Sequence, residues 1–105
     1  MGRAKATKYR GTDKQRLPQL KQAATLLKHV SDPTRVKVTM MLSEGGMHVG
    51  AMCRELDMSQ PALSHHLAML RYGGVIDAHR QGKKVLYRLN EKGDLLAGVI
   101  KEITG

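Results

Sequence analysis

The sequence predicts a mainly α-helical domain with one small β-hairpin, in the order helix, helix, helix, helix, strand, strand, helix. Three observations carry that prediction. Apolar residues recur at helical spacing in five stretches. Two of those stretches are joined by a three-residue turn, and the second ends on the pair Gly73-Gly74. Two short apolar alternations follow, separated by a glycine-centred basic turn.

Each element has a local reason. From Leu17 to Val30 the apolar residues Leu17, Leu20, Ala23, Ala24, Leu26, Leu27 and Val30 fill an arc of roughly 180° on a helical wheel. A surface helix needs only about 100°. The extra width suggests that this helix packs on its own core and on a partner. Ser31-Asp32-Pro33-Thr34-Arg35 starts the second helix: Asp32 can accept bonds from free amides, and Pro33 suits a first turn. This helix carries Val36, Met40 and Met41 and closes at Gly45-Gly46. Val49, Met52, Cys53 and Leu56 mark a short amphipathic helix. Asp57-Met58-Ser59 turns the chain, with Ser59 as N-cap and Pro61 in the first turn of a helix that runs to about Tyr72. Val75-Ile76 and then Val85, Tyr87 and Leu89 read as strands flanking the turn Arg80-Gln81-Gly82-Lys83-Lys84. The last helix, from about Glu91 to Ile103, carries Leu95, Leu96, Val99, Ile100 and Ile103 in an arc of about 140°.

Composition narrows the function. At 105 residues the chain suits one domain, and 41% apolar residues suffice for a packed core. Lys and Arg number 18 against 9 Asp and Glu, a net charge of +9 that points to a polyanion: nucleic acid or an anionic membrane face. One cysteine excludes an internal disulfide framework and a cysteine-rich zinc site. No apolar run is long enough to span a membrane, and no apolar run follows the charged N-terminus as a secretory signal requires. Phe and Trp are absent, which disfavours folds that stack single-stranded bases on aromatic platforms. Residues 1–16 hold Arg3, Lys5, Lys8, Arg10, Lys14 and Arg16 against Asp13 and show no helical stripe. They read as a basic arm, either a solvated tail or an arm that tracks DNA phosphates, ahead of a folded domain over 17–105.

A hairpin directly after a helix-turn-helix is the wing of a winged helix. On the helix from Gln60 to Tyr72, Leu63, Leu67 and Leu70 form the inner stripe, while Gln60, Pro61, Ser64, His65 and Ala68 face outward. A helix fits the major groove with its N-terminal residues nearest the base edges, and glutamine can pair two bonds with adenine. Ser59, Gln60, Pro61, Ser64 and His65 are therefore the candidate DNA readers, with Arg71, Arg80, Lys83 and Lys84 as backbone contacts. Phosphate contacts would dominate affinity and make it salt-dependent. His66 points inward and reads as a core-edge histidine rather than a base reader. His65 and His66 diverge by about 100° and do not chelate as a pair. The outer helices carry more apolar surface than a monomer readily covers, so Leu20, Leu27, Leu95, Leu96, Val99 and Ile103 are expected to form a two-fold dimer interface.

The chain resembles the ArsR/SmtB family of winged-helix repressors over about residues 20–103. The resemblance rests on three stretches. Ser31-Asp32-Pro33-Thr34-Arg35 is similar to the family's DPTR helix start. Met58-Ser59-Gln60-Pro61-Ala62-Leu63-Ser64-His65-His66-Leu67 is similar to its recognition helix. Arg80-Gln81-Gly82-Lys83-Lys84-Val85-Leu86-Tyr87-Arg88-Leu89 is similar to its wing. The resemblance implies a cytoplasmic homodimer that binds double-stranded operator DNA and blocks transcription until an inducer loosens it. It also shows where this chain departs from the family. His48 and Gly50 stand where metal-sensing members carry two thiols before the helix-turn-helix. In the last helix Glu91 keeps a carboxylate position, but Gly93 and Thr104 replace the two histidines. No metal and no cofactor are therefore expected. Cys53, on an apolar stripe, reads as a small hydrophobe, and the seven methionines read as core filler. The expected function is a sequence-specific regulator, a repressor without the standard metal-sensing ligands. The alternatives are an architectural, non-specific DNA-binding protein and a protein-interaction module on the same fold. No catalytic constellation is visible, so an enzyme is not expected.

Overall fold

A computed structural model describes residues 13–105 and the side chains of 16–105; the arm residues Arg3, Lys5, Lys8 and Arg10 lie outside the described residues. The elements are α1 (Asp13–Val30), α2 (Pro33–Leu42), β1 (Met47–His48), α3 (Val49–Leu56), α4 (Gln60–Tyr72), β2 (Ile76–Gln81), β3 (Lys84–Leu89) and α5 (Glu91–Thr104). The first helix begins at Asp13 rather than Leu17 and contains Pro18, so residues 13–16 belong to α1 and not to an arm. Apolar periodicity could not find this turn because Lys14, Gln15 and Arg16 are good helix formers without a stripe.

Helix α2 starts as its sequence demands. The Asp32 carboxylate accepts the amides of Thr34 at 2.9 Å and Arg35 at 3.2 Å. Its core face differs from the expected one. Val38, Thr39 and Leu42 are fully buried, whereas Val36, Met40 and Met41 are half-buried. Thr39 tolerates burial because its hydroxyl donates to the Arg35 carbonyl at 2.8 Å.

The sheet has three strands, not two. Met47 and His48 pair antiparallel with Tyr87 and Leu86, giving the order β1-β3-β2. Two residues are too short for an alternation to show in sequence. Gly46 makes the approach possible: a Cβ there would stand 2.7 Å from Arg88 Cγ. The wing turn is also tighter than the five residues expected. Gln81 pairs with Lys84, so only Gly82 and Lys83 turn, with Gly82 at φ +64°. A positive φ at the first turn position alone is the pattern of a II′ hairpin. Val75, expected in the first strand, instead lies fully buried just before β2.

Leu63, Leu67 and Leu70 of α4 pack into one core with Val30, Val38, Leu42, Met52, Val75 and Ile76. Helix α1 crosses the end of this core at Gly73, where a Cβ would come within 3.1 Å of His29 Cβ. Helix α5 is anchored by Asn90, whose Oδ1 accepts the Gly93 amide at 3.0 Å and whose Nδ2 donates to the Gly74 carbonyl at 2.9 Å. Gly93 presses against the Val75 carbonyl and the Leu89 side chain, leaving no room for a Cβ. Gly93→Ala is therefore expected to destabilise the domain by about 1–3 kcal/mol, despite alanine's higher helix propensity, as measured by chemical denaturation.

Candidate nucleic-acid interface

The N-cap Ser59 sets the start of α4, its hydroxyl accepting the Ala62 amide at 3.3 Å. With the three leucines inward, Gln60, Pro61, Ser64 and His65 are all exposed along one side, and Ala68 is half-buried. All five candidate readers, Ser59 included, lie on the solvent side of the domain. Ser59 differs from the others because its oxygen is already engaged in the cap.

The roll of α4 about its axis is held by Arg35, a residue the sequence reading used only as part of a helix start. Arg35 Nε donates to His66 Nδ1 at 3.1 Å, and Arg35 Nη1 donates to the His29 carbonyl at 3.2 Å. One side chain thus joins the end of α1, the start of α2 and the middle of α4. His66 is half-buried, as its inward direction on the wheel implied. The Asp32 carboxylate lies 3.7 Å from the same His66 nitrogen. The Arg35 bond is the shorter of the two contacts at this nitrogen and is the one that orients the ring.

Burial pushes the Asp32 carboxyl up, but the amides of Arg35 and Thr34 and the charges of His66 and Arg35 outweigh it and hold the group below its usual range. A lowered folded-state pKa contributes stability that is full above the unfolded value and is lost as pH falls through the folded one. Asp32→Ala is therefore expected to lower the melting temperature at neutral pH. The gap from wild type should close as pH falls below about 4, the ordinary aspartate range. Melting curves across pH 2–7 read this directly.

The wing stands beside α4. Arg80 Nη1 donates to the Gly82 carbonyl at 3.1 Å and so braces the turn, while Lys83 and Lys84 are exposed. Arg88 Nη2 lies 3.3 Å from His79 Nε2 across the strands. His48 Nε2 lies 3.0 Å from Gln81 Oε1, joining the start of α3 to the wing. Arg71 is exposed in the last turn of α4. A groove of about 430 Å³ opens between α3, α4 and the wing, lined by Arg54, Gln60, Ser64, Lys83 and Lys84 among others and by no carboxylate. Sequence reading missed Arg54, which sits alone between Cys53 and Glu55; its one signal was a polar position four residues after Gly50.

The remaining histidines and the thiol have local roles. His29 Nδ1 lies 2.8 Å from the Thr25 carbonyl, and its ring meets Tyr72 edge-on. Cys53 is free, half-buried and packed against the core. Among the described residues no three His, Cys, Asp or Glu side chains converge as a metal site would need. No described helix is long and apolar enough to cross a membrane.

On the outer helices Leu20 and Leu27 of α1 and Leu95, Val99 and Ile103 of α5 are exposed; Leu95 is 71% and Ile103 77% accessible. Leu96, also expected at the interface, is less exposed than these. It packs half-buried against the monomer's own core, because the arc of α5 is shared between two faces. A shallow groove of about 720 Å³ runs along the exposed side, with Leu95, Gly98 and Val99 rimmed by Glu91, Asp94 and Glu102.

Comparison with known proteins agrees with this geometry. The profile of the family described as "Bacterial regulatory protein, arsR family" matches residues 32–78, from the cap of α2 into β2. The chain is 38% identical over 79 residues to the biofilm growth-associated repressor of Agrobacterium fabrum, covering 71% of this chain and 68% of that one. It is similar in structure to the transcriptional repressor BigR from Xylella fastidiosa, with a TM-score of 0.70 and 33% identity, covering 86% of this chain and 90% of that chain. The homodimeric winged helix-turn-helix DNA-binding domain of a Mycobacterium bovis protein shares the fold, with a TM-score of 0.80 at 24% identity, covering 90% and 89%.

Proposed function

The chain belongs to the arsR family of bacterial regulatory proteins and is a DNA-binding transcriptional regulator, and on that footing we propose that it is a cytoplasmic two-fold dimer that represses transcription by reading an operator through α4. The observation that carries this reading is the single exposed face of Gln60, Pro61, Ser64 and His65, with the wing cations alongside. In the major groove Gln60 pairs with an adenine edge. Ser64 and His65, one turn further in, meet neighbouring base edges, and Pro61 supplies an apolar contact. The Ser59 cap sets the angle at which α4 enters. Arg71, Arg80, Lys83 and Lys84 hold phosphates, and the arm residues Arg3, Lys5, Lys8 and Arg10 add to that electrostatic grip. Repression follows from occupying a promoter; the printed names of the Agrobacterium and Xylella relatives support that sense of action. The reading includes no bound metal, no cofactor and no enzymatic step. His48 already partners Gln81, and Gly93 has no room for a side chain.

Selection of bound duplexes from a random pool tests specificity. The expected outcome is one enriched sequence with dyad symmetry. Equal affinity for enriched and random duplex would instead mark an architectural protein, and no duplex binding at all would mark an interaction module. Gln60→Ala is expected to cost about 1–3 kcal/mol on the enriched site and to relax preference at one position of each half-site. A uniform loss with preference intact would remove Gln60 from base reading.

Dimerisation rests on Leu20 and Leu27 of α1 and Leu95, Val99 and Ile103 of α5, an apolar surface a second copy would cover. Charge supports the match: the α5 groove has an acidic rim, and α1 carries Lys21 and Lys28. Leu95→Asp with Val99→Asp is expected to give monomers by sedimentation and to weaken operator binding sharply.

A further inference from the structure

We propose that the groove between α3 and the wing seats one sugar–phosphate strand of the DNA, and that Arg54 is a phosphate-positioning residue that grips this strand from the α3 side. This inference rests on the DNA-binding reading and adds an element to it: α3, which the recognition helix and wing leave unassigned.

Four observations lead there. First, the charge in the groove is of one sign. Arg54 comes to the lining from α3 and Lys83 and Lys84 come from the wing, with no carboxylate among the lining residues. Like charges gathered around a concavity repel, and an anion entering between them removes that cost. Second, Arg54 is exposed and, among the described residues, shows no ion pair, although Glu55 and Asp57 are close in sequence. Its guanidinium lies over Gly50, with Nη1 3.6 Å from where a Cβ at that position would stand, so it stays on the groove side of α3. Third, the width of the groove is set by the fold. Met47 and His48 pair with Tyr87 and Leu86, which ties the start of α3 to β3. His48 then bonds Gln81 at the end of β2. The α3 side and the wing side therefore cannot drift apart without breaking the sheet. Fourth, Gln60 and Ser64 lie in the same lining. A strand in this groove brings its own bases to those side chains, so a phosphate held by Arg54 belongs to the nucleotides being read or to their neighbours. Arg54 then sets the register between α4 and the base sequence.

The chemistry recognised is a phosphodiester. A free phosphate would satisfy the same cations, so the experiment separates the two sources. Operator affinity is measured by fluorescence anisotropy across a salt series for wild type, Arg54→Gln, Arg54→Lys, Lys84→Gln and the Arg54→Gln/Lys84→Gln pair. Arg54→Gln is expected to weaken the selected operator and random duplex alike, by about tenfold at moderate salt, and to flatten the salt slope by about one unit. Arg54→Lys should recover the slope, because a point charge suffices for counterion release. The double variant should lose less than the product of the single losses, because the two cations share one stretch of strand. Placing a neutral methylphosphonate at the gripped position should make wild type and Arg54→Gln bind alike.

Wild-type affinity and slope in Arg54→Gln, with Lys84→Gln and Gln60→Ala still impaired, would take α3 off the DNA and leave the regulator reading intact. Competition by inorganic phosphate beyond that of chloride at equal ionic strength, abolished in Arg54→Gln, would mark a small-anion site and overturn the strand assignment. Absence of duplex binding in wild type would bring down the regulator reading and this inference together.

Discussion

The guanidinium of Arg35 decides how the exposed face of α4 is presented. Packing through Leu63, Leu67 and Leu70 sets which face of α4 turns inward, but apolar contact is not directional. Directional bonds are less permissive. Arg35 donates to His66 on α4 and to the last turn of α1, while its own amide is held by Asp32. Helix α4 is thus keyed by geometry to α1 and α2. If α4 rolled by one residue, Gln60 would leave the groove side and a leucine would be exposed in its place. Packing supplies the adhesion, and this one fork of nitrogen atoms supplies the orientation.

A second layer of order comes from the sheet. A two-stranded wing alone would be marginally stable in water. The short β1 adds a third strand and ends on His48, the N-cap of α3, so the hairpin is joined to the helix-turn-helix rather than suspended from it. Gly46 is the enabling residue, because its missing side chain leaves space for Leu86 and Arg88. The bond between His48 and Gln81 closes the same joint at the surface. His48 thus has a mechanical role at the position where metal-sensing relatives of the family carry a thiol.

Much of this was legible in sequence because strong local signals agreed with the fold. Asp32-Pro33 and Ser59-Gln60-Pro61 mark helix starts by cap chemistry, and the three leucines of α4 fix its inward face by spacing alone. The outward set Gln60, Pro61, Ser64 and His65 followed by subtraction. What escaped has a common cause. The pairing of β1 with β3, the three-way contact of Arg35 and the groove around Arg54 are all long-range, and periodicity carries no information about which distant residue a side chain meets. The same limit explains Leu96: its arc on α5 is continuous with Leu95 and Val99, and only the position of the core divides them. The first turn of α1 was hidden differently, because Asp13, Lys14, Gln15 and Arg16 are all polar and leave no apolar trace.

The close seat of Gly93 has a consequence for transmission. The helix that bears Leu95, Val99 and Ile103 begins in direct contact with the backbone at the base of β2 and with Leu89 at the end of β3. Gly93 itself brings no side chain to the contact, so its backbone rests on the Val75 carbonyl. In the proposed dimer, a tilt of this helix would bear directly on the base of the hairpin through that contact and so alter the spacing between the two wings.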